Sequence, residues 1–75
     1  MKTDSQLQHD IFVELEHEPI VDSAKINVSV EDGIVTLKGT AESFPGKKAA
    51  ERAALRVVGV RAVANEIDVP GRFFW

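Results

Sequence analysis

Lys48, Arg52 and Arg56 recur every four residues, and Arg61 follows them. In an α-helix this spacing stacks side chains along one face, so the three cations would form a stripe with Leu55 on its border. The chemistry such a stripe offers is anion binding; it could meet anionic groups presented by a surface, with each nearby basic residue contributing about 1 kcal/mol. An ordinary solvated helix face has the same pattern, and spacing leaves both readings open. Catalytic chemistry has no comparable signature. The chain holds no Cys and no Tyr, no glycine loop of the kind that cradles phosphates and no nucleophile motif, so neither enzymatic activity nor a cofactor is expected. His9 and His17 stand eight residues apart, about 12 Å along a helix, too far to share a metal ion. Asp10, Glu14 and His17 do share a helical face and could be drawn as a metal site, but a solvated polar face accounts for them, and no metal is expected.

The elements that must position the stripe are readable from periodicity. The stretch Lys25 to Ala41, KINVSVEDGIVTLKGTA, organises the rest. Ile26, Val28 and Val30 alternate with Asn27, Ser29 and Glu31; Val35, Leu37, Gly39 and Ala41 alternate with Thr36, Lys38 and Thr40. Period two is that of half-buried strands, and Asp32-Gly33 between them is a strong hairpin signal, because Gly33 can take the positive φ of a tight turn. Ile34 interrupts the alternation and is expected beside a bulge or on the open face. Gly39, inside a strand, marks a place where another backbone or a helix comes close.

A first helix is expected over Thr3 to His17. Thr3-Asp4-Ser5-Gln6 has the capping-box form, Leu7, Ile11 and Leu15 supply an apolar face with Phe12 at its edge, Val13 falls on the polar side, and Pro19 closes the helix. Ser43 reads as the cap of a second helix with Pro45 in its first turn. Ala49, Ala50, Ala53, Ala54, Val57 and Val58 form a broad stripe of mostly small residues that lets this helix lie close to a sheet. Gly59 is read as its left-handed terminating residue, with Val60 supplying the hydrophobic contact. A last strand runs from about Ala62 to Val69, with Val63, Ile67 and Val69 on the core side. Asn65 shares that side; its amide must be satisfied, and it is expected to tie the start of the strand to the end of the second helix.

Seventy-five residues make one small domain with a single two-layer core, assigned to residues 1–69, with 70–75 as an aromatic tail or the start of a linker. Without Cys there is no disulfide framework. The net charge of −3 is unevenly spread: through Glu42 nine acids face three lysines, a local −6, and from Ser43 onward six basic residues face three acids, a local +3. Met1 runs into a polar segment with no apolar signal region, so a cytoplasmic location is expected if Met1 is native and a periplasmic one if a leader was removed. Phe73, Phe74 and Trp75 suit a membrane interface, where Trp is favoured, but packing on the domain or self-association is the preferred reading. With a net acidic chain and no base-stacking aromatics on the sheet, nucleic acid is not an expected partner.

The order helix, hairpin, helix, strand, together with Glu18-Pro19, VEDGIVTLKG, AAERAA and the run Val58-Gly59-Val60-Arg61-Ala62-Val63 leading to Asn65 and Ile67, resembles the BON domain, named for bacterial osmotically inducible and nodulation proteins. The resemblance spans about Asp4 to Val69. It implies an α+β fold: an αββαβ two-layer sandwich whose three-stranded mixed sheet, second strand central, is backed by two helices. It also implies a non-enzymatic binding module of a stress or envelope-related bacterial protein, associated with phospholipid or membrane surfaces; the stripe Lys48, Arg52 and Arg56, with Arg61 beyond it, is what this sequence would offer to anionic headgroups. The chain is similar to the first repeat of leaderless proteins with several BON repeats, so further repeats, another protein or a second copy are implied partners, and Pro70-Gly71 would begin a linker. A second class is potassium sensing, which some BON proteins perform beside a peptidoglycan-binding-type module. It is suggested here by the acids Glu14, Glu16 and Glu18 crowding the negative end of the first helix.

Overall fold

Asp32 and Gly33 both take positive φ, 53° and 78°, the backbone form whose twist matches two antiparallel strands. They join β1 (Ile26–Glu31) to β2 (Ile34–Thr40) in an unbroken register from Ile26 opposite Gly39 to Glu31 opposite Ile34. The computed structural model describes residues 2–70. In chain order it holds α1 (Asp4–Glu16), a 3-10 turn (Ser23–Lys25), β1, β2, α2 (Phe44–Leu55) and β3 (Ala62–Asp68). The crossover through α2 returns β3 parallel to β2, from Ile34 opposite Ala62 to Thr40 opposite Asp68. The sheet order is therefore β1-β2-β3, with β2 central, and the architecture is the expected α+β sandwich.

Strand parity decides which sheet face is covered. Ile26, Val28, Val35, Leu37 and Ile67 are buried, whereas Asn27, Ser29, Glu31, Lys38, Thr40, Glu66 and Asp68, of the opposite parity, are exposed. Ile34 lies with this second set, 48% exposed; with no bulge in the register, the open face is where the interrupted alternation sends it. Leu7, Ile11 and Leu15 of α1 and Ala49, Ala50, Ala53 and Ala54 of α2 close the core, each large apolar side chain stabilising the fold by roughly 1.5–3 kcal/mol. Gly39 has φ 130°, and a Cβ there would fall well inside contact distance of the Lys25 carbonyl oxygen. The close approach is thus made by the backbone leading into β1.

α1 begins as its sequence indicates. The Gln6 amide donates to Thr3 Oγ1 (3.1 Å) and the Thr3 amide to Gln6 Oε1 (2.9 Å), so both partners of the capping box are engaged. Val13 departs from the helical wheel: it is half-buried, in a cleft that it shares with Asp10, Glu14 and Arg56–Val58.

The end of α2 also departs from expectation. The helix stops at Leu55 with Arg56 as cap, and Val58, assigned from sequence to the buried stripe, is 79% exposed. The backbone tightens there: the Arg56 amide donates to both Arg52 and Ala53 carbonyls, and the Val57 amide to Ala54, three residues back. Such tightening is usual at helix ends, and the β-branched pair Val57-Val58 has little helical preference with which to oppose it. Gly59 is left-handed (φ 104°), but in the turn beyond the cap. There a Cβ would lie 3.0 Å from Leu7 Cδ2, so the glycine lets the connection pass over α1.

Candidate functional site

The outward face of α2 is set by what holds the helix inward. Ser43 Oγ accepts from the Gly46 amide (3.1 Å), Pro45 occupies the first turn, where its missing N–H costs nothing, and the four buried alanines turn one side to the core. At about 100° per residue, Phe44, Leu55, Lys48 and Arg52 then share an arc of roughly 80° on the other side. All four are exposed, Phe44 by 54% and Leu55 by 53%. Neither Lys48 nor Arg52 makes an ion pair among the described residues. The nearest acid on the helix, Glu51, is half-buried and accepts from Asn65 Nδ2 at 3.3 Å.

The other two cations of the expected stripe are engaged with protein groups. Arg56 donates from Nε to Glu14 Oε1 (3.1 Å) and from Nη2 to Glu18 Oε2 (2.7 Å). Hydrogen bonding to Glu18, then to Glu14, raises its guanidinium pKa above the ordinary arginine value. Arg61 sits at the hairpin turn. Its backbone amide donates to the Gly33 carbonyl (2.8 Å) and its Nη1 reaches the Asp32 carbonyl at 3.4 Å. The same turn is held from the other side by Asp4, whose carboxylate accepts the Asp32 amide (3.1 Å) and the Gly33 amide (3.3 Å). Reading Asp4 as a first-turn helix residue misses this role, and nothing local in the sequence signals it.

Asn65 is satisfied, as its position requires, but by a different part of α2 than expected. Its Nδ2 donates to the Lys47 carbonyl (3.0 Å) and to Glu51, in the first half and middle of the helix. The reason is direction: α2 runs back along the sheet, so the middle of β3 faces the middle of α2. Asn65 Oδ1 also accepts the Ile67 amide (3.2 Å). The Asp68 carbonyl bonds the Ala41 amide on the β2 side, so alternation in a parallel ladder turns the Ile67 amide outward. The side chain thus caps part of a free sheet edge.

The acids at the end of α1 are also accounted for in part. Glu14 and Glu18 take Arg56, and Asp10 pairs with Lys2 at 2.8 Å. Two members of the sketched set Asp10, Glu14 and His17 therefore face cations. Among the described residues no group of three metal-ligating side chains is placed to hold an ion. Phe73, Phe74 and Trp75 lie outside the described residues.

The BON domain family model matches residues 3–71. The chain belongs to the BON family. A comparison with curated proteins finds no match to this chain. Family membership suggests a binding module, and the pairing of its cations differs from one element to the next. Lys38 is offset by Glu66 at 3.9 Å and Lys25 by Glu42 at 3.8 Å. On α2, by contrast, Lys48 and Arg52 project one turn apart with no carboxylate paired to either among the described residues.

Proposed function

We propose that this BON domain binds anionic phospholipid surfaces peripherally through the outward face of α2, with Lys48 and Arg52 meeting headgroup phosphates. The observation that carries this reading is the contrast in pairing along the helix: Arg56 is held by two carboxylates, whereas Lys48 and Arg52, exposed one turn apart, have none among the described residues. Long cationic side chains without internal partners are the groups that gain from an anionic surface, because no existing ion pair must be broken. Among the described residues no helix is long and apolar enough to cross a membrane, so the association proposed is with one leaflet. The open sheet face is a poorer candidate, since it carries Glu31, Glu66 and Asp68.

Co-sedimentation with vesicles tests the reading. The domain is expected to pellet with vesicles containing phosphatidylglycerol at low salt, less so as salt screens the charges, and not with pure phosphatidylcholine. Equal absence of binding to both vesicle types overturns it.

A further inference from the structure

Two cations supply only about 2 kcal/mol at an anionic surface, a factor of roughly 30 in affinity, and screening erodes even that. The same face of α2 offers a second source of affinity. Phe44 and Leu55 are separated by eleven residues, about 16 Å along the helix, and point within roughly 20° of one another. They form two exposed apolar points on a line parallel to the helix axis, at its first and last residues. Lys48 and Arg52 lie between them and to one side of that line, where their aliphatic stems can follow an apolar boundary while the charged heads stay in the headgroup layer. Glu51, on the other side, is turned to Asn65. Among the described residues the other exposed large apolar side chains lie off this face: Phe12 is on α1 and Ile20 in the connection that follows it. Ile34 is on the open sheet face and Val58 lies beyond the helix end, 79% exposed.

We infer that α2 lies flat in the interface of an anionic bilayer, with Phe44 and Leu55 inserted below the headgroups on either side of the Lys48–Arg52 pair. The inference rests on the phospholipid reading above and adds its depth and orientation. Charge complementarity selects the occupant. A face with two unpaired cations between apolar points matches anionic headgroups over acyl chains. Four side chains on a three-turn helix fall well short of the roughly 20–30 residues a side that a stable protein interface uses.

The chain has no cysteine, so a single introduced cysteine carries the only label without any native cysteine having to be replaced first. Full-length Phe44→Cys and Leu55→Cys, each labelled with a nitrobenzoxadiazole fluorophore, are compared with labelled Ser29→Cys on the open sheet face, using vesicles with about 30% phosphatidylglycerol. At positions 44 and 55 the emission is expected to brighten, shift to the blue and be quenched by nitroxide on the acyl chains; at position 29 it is not. In parallel, the unlabelled Phe44→Ser/Leu55→Ser variant is expected to keep its melting temperature and to bind at least about tenfold more weakly at roughly 0.5 M KCl, where electrostatics is screened. Co-sedimentation of the native chain without quenching at either position overturns insertion and leaves the electrostatic reading standing. Absence of co-sedimentation overturns both. A blue shift without vesicles that grows with protein concentration overturns insertion in favour of a second copy covering the face.

Discussion

Lys48–Arg52 and Arg56–Arg61 are two pairs of cations, adjacent in sequence and close to the same four-residue spacing, yet the structure uses them differently. Arg56 crosses to α1 and closes on Glu14 and Glu18; Arg61 supports the hairpin turn. Among the described residues Lys48 and Arg52 pair with no acid. The difference shows that spacing on a helix determines the face a charge shares, whereas tertiary neighbours determine whether it is available to bind. The first pair should therefore govern binding, and loss of the second, already engaged with protein groups, should leave binding nearly unchanged.

Reversing the open pair, Lys48→Glu/Arg52→Glu, is expected to have the largest effect. Four units of charge at about 1 kcal/mol each amount to roughly a thousandfold loss of affinity for anionic vesicles, read by co-sedimentation, with an unchanged melting temperature. Gly39→Ala provides the opposite case. Its Cβ meets the Lys25 carbonyl in a left-handed backbone, and a loss of about 3 kcal/mol is expected in chemical denaturation, with binding lost only to the extent that the fold is lost. Asn65→Ala removes donors to Lys47 and Glu51 and the acceptor for Ile67. It should lower stability by about 1–2 kcal/mol while vesicle affinity at low temperature stays the same.

Arg56→Gln is the gentlest of the four, since an exposed ion pair contributes little. It should lower the melting temperature slightly, less at high salt, and leave vesicle binding within about twofold. The raised guanidinium pKa of Arg56 fixes the pH dependence of that small effect. A group whose folded pKa lies above its unfolded one contributes fully below the unfolded value and loses the contribution only as pH rises through the folded value. From pH 6 to 9 the difference in melting temperature between Arg56→Gln and the native chain should therefore not change through this group.

What was legible in the sequence is what local chemistry dictates. The hairpin follows from period two and Asp32-Gly33, the start of α1 from Thr3 and Gln6, the start of α2 from Ser43 and Pro45, and the close approach at Gly39 from the missing side chain. What was not legible depends on residues far apart in the chain. Arg56 finds Glu14 and Glu18 across about forty residues, so the acidic end of α1 and the basic row on α2, opposite and unrelated in sequence, partly neutralise each other. Asp4 reaches Asp32 and Gly33 across almost thirty residues. Val58 falls outside the buried stripe because the end of α2 depends on where the backbone tightens, and Asn65 meets Lys47 and Glu51 rather than the end of α2 because parity gives a face but not the residue opposite. The free pair was visible as part of the stripe; only the loss of its neighbours to protein partners singles it out.

The most direct measurement compares two variants of equal charge. Lys48→Gln/Arg52→Gln and Arg56→Gln/Arg61→Gln each remove two positive charges from the net −3, so any effect of overall charge is the same in both. In co-sedimentation with phosphatidylglycerol-containing vesicles at low salt, the first should bind about thirtyfold more weakly and the second keep its affinity. Equal loss in the two variants would contradict a localised site and leave only net charge to explain the association.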